Sequence, residues 1–169
     1  MKALILCGGM GTRLREQTET RPKPMVEVGG IPILVHIMRM YARHGVKDFI
    51  LCVGYKGQVI KEYFLALEAM FSDFTIEYGQ RRSVTYHGLS DKELEGWRVT
   101  VVDTGENSGT GERIRRAARH LAPETFFVTY GDGLANVNPR AVLDYHRTHG
   151  KLATITGVRP PSRFGEIDQ

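Results

Sequence analysis

The hydrophobic positions of the chain fall into short apolar runs that alternate with stretches of helical periodicity. The runs typical of strands are 3–7, 26–28, 49–53, 74–78, 99–102, 125–130 and 152–158. The stretches with helical spacing are 32–44, 59–67, 110–121 and 139–149. Strands and helices therefore alternate, which predicts an α/β protein with a mostly parallel sheet and helices on both faces. The runs at 3–7, 49–53 and 125–130 suit buried strands.

Glycine-rich breaks follow two of the predicted buried strands. Gly8 and Gly9 come after the first strand, and Gly131, Asp132 and Gly133 come after the strand at 125–130. Because ligands bind outside the carboxyl ends of parallel strands, we expect both breaks to converge on one crevice.

Residues 79–98 interrupt the alternation. They are polar and uneven and contain the only tryptophan, Trp97. We expect this segment to pair strands or to cover a neighbouring element. No internal repeat or linker is visible, so the sequence predicts a single domain over 1–169.

The first break has the composition of a phosphate-binding loop. Gly8, Gly9 and Gly11 lack a Cβ, so the backbone can take positive φ and a ligand can approach its N–H groups closely. Thr12 adds a hydroxyl donor and Arg13 a fork of five donors. The glycines alone would fit a turn that binds nothing equally well. The loop lacks the Gly-Lys-Ser/Thr of a Walker A motif and the third glycine of a Rossmann fingerprint.

Two charged residues extend this hypothesis. Lys23 lies between Pro22 and Pro24, which restrict φ and push Lys23 towards an extended backbone, so its ammonium is suited to meet a phosphate. Asp132 stands where a Mg²⁺ ligand would be placed at the crevice. The alternatives are a solvated lysine in a rigid loop and an Asp-Gly turn residue. Asp103, at the end of the preceding strand, is a further candidate for the metal.

Composition and charge narrow the possible partners. The chain has 169 residues, 41% of them hydrophobic and 25% charged, as in ordinary globular proteins. The net charge of +4 is dispersed without a long basic tail, so we expect small anionic substrates and no nucleic acid. No apolar run approaches the roughly 20 residues of a membrane span, and no signal-peptide pattern follows Met1. We therefore expect a cytoplasmic protein without a membrane partner.

Several other residues are assigned structural roles. Cys7 and Cys52 lie in apolar runs and are expected to be reduced and buried. His146 and His149 lie three residues apart on a predicted helix, and we expect them at the surface because no third metal ligand is near. Thr110 is expected to cap the helix that begins there.

The segment 6–30, LCGGMGTRLREQTETRPKPMVEVGG, with TGER at 110–113 and YGDG at 130–133, resembles the sugar-phosphate nucleotidylyltransferases. Their loop pattern, GGxGTRLxxxTxxxPKPM, is present from Gly8 to Met25. The resemblance covers essentially the whole chain and implies a Rossmann-like, GT-A-like nucleotidyltransferase fold. Within the family it is strongest to members that use CTP and glucose 1-phosphate, through VVDTG and RFGEID.

The resemblance implies transfer of a cytidylyl group from CTP to glucose 1-phosphate, giving CDP-glucose and pyrophosphate, with Mg²⁺ as cofactor. It implies catalytic roles for three residues: Arg13 steadies the pyrophosphate, Lys23 stabilises charge near the α-phosphate and Asp132 holds Mg²⁺. The other nucleotide contacts that it implies are Leu6, Cys7, Gly8, Gly9, Met10, Gly11, Thr12, Ser108, Thr110, Gly111 and Arg113. Cys7 stands where the family usually has alanine.

The resemblance also implies a homo-oligomer and a longer chain, because family members continue past Gln169 with a lysine motif, sugar contacts and a second Mg²⁺-binding aspartate. We therefore expect the chain to be truncated at its C-terminus. Two alternatives stay open. One is a nucleotide-binding or regulatory module without turnover, and the other is a nucleotidylyltransferase that uses dTTP, GTP or UTP.

Overall fold

The computed structural model describes residues 1–9, 21–88 and 94–158. These described residues fall into two compact units, divided between Ala135 and Asn136. The strands, all in the first unit, are β1 (Lys2–Leu6), β2 (Glu27–Val28), β3 (Ile31–Pro32), β4 (Asp48–Val53), β5 (Asp73–Glu77), β6 (Ser83–His87), β7 (Arg98–Asp103) and β8 (Phe127–Tyr130). The helices are α1 (Ile33–Arg43), α2 (Gly57–Phe71), α3 (Thr110–Ala117) and α4 (Pro139–His149), with short 3₁₀ helices at Lys23–Met25 and Ala118–His120.

A four-stranded parallel sheet with the order β7-β4-β1-β8 forms the centre of the first unit. The strands β2 and β3 form a small antiparallel pair, and β5 and β6 form another. The α/β class with a mostly parallel sheet is therefore confirmed. The segment after 78 does pair strands, because β6 lies against β5, and Trp97 packs edge-on against Phe49 with ring centroids 5.2 Å apart.

Alternate side chains of the central strands pack on opposite faces of the sheet. On one face, Ile5 and Leu51 pack with Ile37 of α1 and Ile60 of α2. On the other face, the residues in contact are Leu4, Leu6, Ile50, Cys52, Val102 and, from α3, Ala117. Helices therefore cover both faces, as predicted. Because β1 and β4 are buried on both sides, their sequences are continuous apolar runs rather than alternating ones.

The strand β8 differs from its prediction. It begins at Phe127 rather than at 125, and Val128 and Tyr130 are 43% and 59% exposed. Among the described residues β8 pairs only with β1, so it is an edge strand that is buried mainly through Phe127, whose ring lies 5.5 Å from that of Tyr41. The expectation of a fully buried strand is therefore wrong.

The predicted cap of α3 is also wrong. Gly109 is the N-cap residue, no side chain caps the helix, and Thr110 is the first helical residue. The N-cap backbone is extended, with φ −73° and ψ 170°, and the hydroxyl of Thr110 lies one position too late to serve it.

The second unit contains α4 with the predicted bounds. Asn138 caps it by accepting hydrogen bonds from the N–H groups of Arg140 and Ala141, and Gly150 ends it with φ +63°. His146 and His149 share the hydroxyl of Thr154, each at 2.8 Å.

The strand expected at 152–158 is absent, and Leu152 and Ile155 are 105% and 90% exposed. An apolar pattern needs a pairing partner to become a strand, and none of the described strands pairs with this segment. The single domain expected over 1–169 stays a prediction. Of the helices in the described parts of the chain, none combines the length and the apolar character that crossing a membrane requires.

Candidate functional site

The register of the sheet brings the two glycine-rich breaks side by side. Leu6 lies opposite Cys52 on β4 and opposite Tyr130 on β8, so three strands end at the same level. The ladder continues one step further, because the N–H of Gly131 donates to the carbonyl oxygen of Leu6 at 2.9 Å. Residues 7–9 and 131–133 therefore emerge next to each other at the carboxyl edge of the sheet.

A crevice of about 300 Å³ opens at this edge. The residues that line it come from the ends of β1 and β8, the 3₁₀ helix at 23–25 and the start of α3: Leu6, Cys7, Gly8, Gly9, Lys23, Pro24, Ser108, Gly109, Thr110, Arg113, Tyr130 and Asp132. The prediction that both glycine-rich breaks converge on one crevice is confirmed. Its position is the one at which open parallel sheets bind ligands.

Lys23 and Asp132 meet in the crevice. The ammonium nitrogen lies 3.9 Å from Oδ2 of Asp132, and their side chains are 21% and 42% exposed. This is an ion pair rather than a close hydrogen bond, so both groups can still interact with a ligand. Among the described lining residues, Asp132 is the only acidic one.

The backbone at Lys23 differs from its prediction. Lys23 opens a 3₁₀ helix rather than standing in an extended segment, although Pro22 before it is extended with ψ 151°. Two hydrogen bonds close this turn, from the N–H of Met25 to Pro22 and from that of Val26 to Lys23. Burial of Pro24 and Met25 accompanies them, and together these contacts outweigh the preference of a residue that precedes proline. The lysine is held by a packed turn all the same.

The start of α3 contributes a second feature that favours anions. Gly109 and Thr110 line the crevice, and no side chain caps the first N–H groups of the helix. These unsatisfied donors and the helix dipole give this end of α3 a partial positive charge. The crevice therefore combines a lysine, an arginine and a helix N-terminus.

Arg113 is buried, with 5% of its surface exposed, although it is charged. Its guanidinium reaches across to the end of β1 and donates to the carbonyl oxygen of Gly8 at 2.8 Å. It also donates to the hydroxyl of Thr104, which in turn donates to Val53 of β4. Arg113 thus connects three strand ends beneath the crevice.

The glycines of the first break are used differently from the prediction. Neither Gly8 nor Gly9 is among the glycines with positive φ. A Cβ on Gly8 would overlap the guanidinium of Arg113, whereas one on Gly9 would meet nothing within 4 Å. Gly8 therefore makes room for the close approach of a side chain, and its φ angle does not call for glycine.

Both cysteines are free and buried, in line with the structural role expected of them. Burial raises the pKa of the Cys7 thiol far above its usual range, and the nearby Cys52 and Asp132 add to this. Burial also raises the pKa of Cys52 to about 11, while Arg113 opposes the shift. Neither thiol is an activated nucleophile.

The remaining predicted residues fall into two groups. Met10, Gly11, Thr12 and Arg13 lie outside the described residues. Gly111 and Asp103 are described but do not line the crevice, and Asp103 instead pairs with Lys61 at 3.7 Å.

Sequence reasoning missed Pro24, Gly109 and Tyr130 as lining residues. Each is a direct neighbour of a residue that was predicted, so the strand ends could have indicated them. For Tyr130 the decisive fact is its pairing with Leu6 in the sheet, which the fold shows and the sequence does not.

Comparison with known proteins gives a consistent result. The model of the nucleotidyl transferase family matches residues 2–169. The chain is 53% identical over 169 residues to glucose-1-phosphate cytidylyltransferase of Salmonella typhimurium, and 46% identical over 167 residues to the probable glucose-1-phosphate cytidylyltransferase of Bacillus subtilis. Each alignment covers 99% of this chain but 64% of the relative, so the chain spans a little under two thirds of their length.

A solved structure of UDP-glucose pyrophosphorylase complexed with UDP-glucose has a similar fold. The TM-score is 0.63 at 17% identity, and the match covers 88% of this chain and 54% of the other. At that identity the likeness concerns the fold alone. It agrees with the Rossmann-like nucleotidyltransferase fold that the sequence resemblance implied.

Proposed function

Because the chain belongs to the nucleotidyl transferase family, we propose that its crevice binds a nucleoside triphosphate, and that this triphosphate is CTP. The reaction we propose is transfer of the cytidylyl group to glucose 1-phosphate, which gives CDP-glucose and pyrophosphate. Support for these substrates comes from the two relatives described above, which are similar to this chain over 99% of its length.

One structural observation carries the proposal: Lys23 and Asp132 converge in the crevice at 3.9 Å, although they lie far apart in the sequence. A lysine and a carboxylate at the carboxyl edge of a parallel sheet suit a phosphate that carries a divalent cation. The amide groups at the start of α3 add donors for an anion.

The chemistry needs no nucleophile from the protein. A phosphate oxygen of glucose 1-phosphate attacks the α-phosphorus of CTP in line and forms a new P–O bond. The bond from the α-phosphorus to the oxygen that bridges to the β-phosphate breaks, and its electron pair leaves with pyrophosphate. The protein contributes by holding two anions together and by neutralising the charge that develops. Lys23 serves this purpose, as does Arg13 by its motif position.

The lining residues fit a Mg²⁺ ion. Mg²⁺ in nucleotide sites is commonly held by one or two carboxylates together with substrate phosphates, and Asp132 supplies one accessible carboxylate. When bound, the ion would neutralise phosphate charge. No group of three or more candidate metal ligands exists among residues 1–9, 21–88 and 94–158, so binding should depend on the nucleotide.

The chain offers a matched control for both charged residues. Lys61 and Asp103 form an ion pair at 3.7 Å, close in length to the 3.9 Å pair of Lys23 and Asp132, but neither lines the crevice. Lys23→Ala and Asp132→Asn can therefore be compared with Lys61→Ala and Asp103→Asn. Pyrophosphate release is measured with CTP, UTP, dTTP and GTP against glucose 1-phosphate in the presence of Mg²⁺.

We expect release with CTP above the other nucleotides. Lys23→Ala should lower the rate by about 100-fold, as when one positioned charge or donor is removed from a transition state. Lys61→Ala should leave the rate within about twofold, because exposed ion pairs contribute little. Equal rates for the two lysine variants would overturn the role of Lys23.

The alternative of a binding module without turnover is separated by calorimetry. Binding of CTP with no pyrophosphate released by the folded chain would favour that alternative over the transferase. The cytoplasmic location and the homo-oligomer stay predictions.

A further inference from the structure

The two terminal nitrogens of the Arg113 guanidinium are fully occupied by the protein. Its acceptors all belong to the ends of β1, β4 and the loop after β7. Nη1 donates to Thr104 Oγ1 at 2.8 Å and to the carbonyl oxygens of Gly105 at 2.7 Å and Val53 at 3.3 Å, while Nη2 donates to those of Gly8 at 2.8 Å and Glu106 at 3.0 Å. The two terminal nitrogens carry four hydrogens for five acceptors. None of these hydrogens remains for a phosphate.

These bonds join the two walls of the crevice. One wall is the end of β1 at Gly8 and Gly9, and the other is the loop that leads to Ser108 and α3. Hydrogen bonds to a charged donor are stronger than neutral ones, and the site is buried. Arg113 therefore acts as a cross-link between segments about one hundred residues apart in sequence.

The same bonds fix the direction of backbone donors. A trans peptide unit is planar, so its N–H points opposite to its C=O, and none of the described peptide bonds is cis. Because the carbonyl of Gly8 points at Arg113, the N–H of Gly9 points away from the guanidinium. In the other wall, the carbonyl of Glu106 also points at Arg113. The N–H of residue 107 therefore points away from the guanidinium as well.

Space around the guanidinium is reserved by glycines. A Cβ on Gly8 would lie within 2.8 Å of all three of the nearest guanidinium atoms, and no other atom is among its three nearest neighbours. A Cβ on Gly54 would lie 2.5 Å from Nη1 and also 2.7 Å from the carbonyl oxygen of Gly105. The two glycines therefore differ in their nearest neighbours: the three atoms closest to a Cβ on Gly8 all belong to Arg113, whereas those closest to a Cβ on Gly54 include a backbone oxygen.

We propose that Arg113 is a positioning residue: it fixes the two walls of the crevice and so orients the backbone donor at Gly9, which lines the crevice, for a nucleotide. Its effect on nucleotide affinity rests on the proposed function, whereas its effect on the walls does not. Arg115 provides a matched control, because it lies on the same helix, is largely exposed and bonds Glu112 instead.

The first experiment compares Arg113→Ala with Arg115→Ala by amide hydrogen exchange in the ligand-free chain and by calorimetric titration with CTP and Mg²⁺. Arg113→Ala should speed exchange in the segments around residues 8–9 and 104–109 and weaken CTP binding at least about tenfold, or about 1.4 kcal/mol. Arg115→Ala should change neither. Equal exchange and equal affinity in the two variants would overturn the proposal.

The second experiment uses the glycines, and its arm in the wild-type background remains informative where Arg113→Ala folds poorly. Gly8→Ala should weaken CTP binding in the wild-type background but add no loss in the Arg113→Ala background, because the clash has gone. Gly54→Ala should weaken binding in both, because Gly105 remains in its way. Equal losses from Gly8→Ala in both backgrounds would contradict the cross-link.

The two proposals fail separately. A folded wild-type chain that binds no nucleotide would overturn the proposed function, and the exchange comparison alone would then decide the role of Arg113 in fixing the walls. If Arg113→Ala speeds hydrogen exchange only in the two walls, Arg113 positions them. If exchange speeds up throughout the chain, the variant has lost stability in general, which would contradict the positioning role.

Discussion

Gly131 allows a direct test of how the Asp132 side of the crevice is built. A Cβ at this position would lie 2.9 Å from Sγ of Cys7, 3.1 Å from Cγ of Pro24 and 3.3 Å from the carbonyl oxygen of Leu6. The first distance is shorter than real Cβ contacts, and all three neighbours are packed in the interior. Gly131→Ala should therefore push residue 131, and Asp132 with it, away from β1.

The magnitude follows from two opposing effects. Overpacking a filled site by a methyl group destabilises by about 1–3 kcal/mol, while replacing glycine by alanine restricts the unfolded chain and returns about 0.4–1 kcal/mol. A net loss of about 1–2 kcal/mol lowers the melting temperature by roughly 3–6 °C in a chain of this size.

Thermal unfolding of Gly131→Ala and Gly133→Ala measures this loss. Gly133 is a matched control in the same turn, because a Cβ there would meet nothing within 4 Å and its φ is not positive. Its replacement should leave the stability unchanged or raise it by up to about 1 kcal/mol, because alanine restricts the unfolded chain. If the two variants melt at the same temperature, the packing argument is refuted.

A second variant identifies the neighbour responsible. Cys7→Ala removes Sγ, the nearest atom, but leaves Pro24 and Leu6 in place. The double variant Cys7→Ala, Gly131→Ala should then be less destabilised than the sum of the single variants by about 1 kcal/mol. Strict additivity would show that Cys7 is not the obstacle.

Two further predictions concern titrating groups. Hydrogen bonds from Arg115 and Arg116 lower the pKa of Glu112 from 4.5 to about 2, so its stabilisation is complete above pH 4.5 and is lost as the pH falls towards 2. The difference in melting temperature between wild type and Glu112→Gln should shrink over that window, and a constant difference would contradict the pairing. Burial and raised pKa values should make Cys7 and Cys52 react with a thiol reagent at pH 8 at least about 100-fold more slowly than in the unfolded chain, and rapid labelling of the native protein would contradict their burial.

The central strands of the sheet could be predicted from the sequence because their apolar pattern depends only on neighbouring residues. Residues 3–7 and 49–53 are continuous apolar runs, and a strand buried on both faces needs that pattern wherever it lies in a protein. The crevice followed from a general property of parallel sheets, namely that the carboxyl ends of the strands share one edge. Neither conclusion required knowledge of a particular contact.

The predictions are wrong for strands whose formation or burial depends on pairing with a segment that is distant in the sequence. The apolar residues at 152–158 have the composition of a strand but find no partner among the described strands. Val128 and Tyr130 have the composition of a buried strand but lie at the edge of the sheet. The composition of a segment shows which side chains it could bury as a strand. Whether they are buried depends on the strands that pair with it.

The glycine-rich loop illustrates the same limit at the candidate site. Taken alone, Gly8 indicates backbone freedom or the close approach of a ligand. In the fold, its backbone does not take positive φ, and the group that approaches it is the side chain of Arg113, 105 residues further along the chain. The motif at 8–9 and the arginine of the TGER segment are therefore one structural unit, because Arg113 bonds the carbonyl oxygen of Gly8 and occupies the space that a side chain at residue 8 would need.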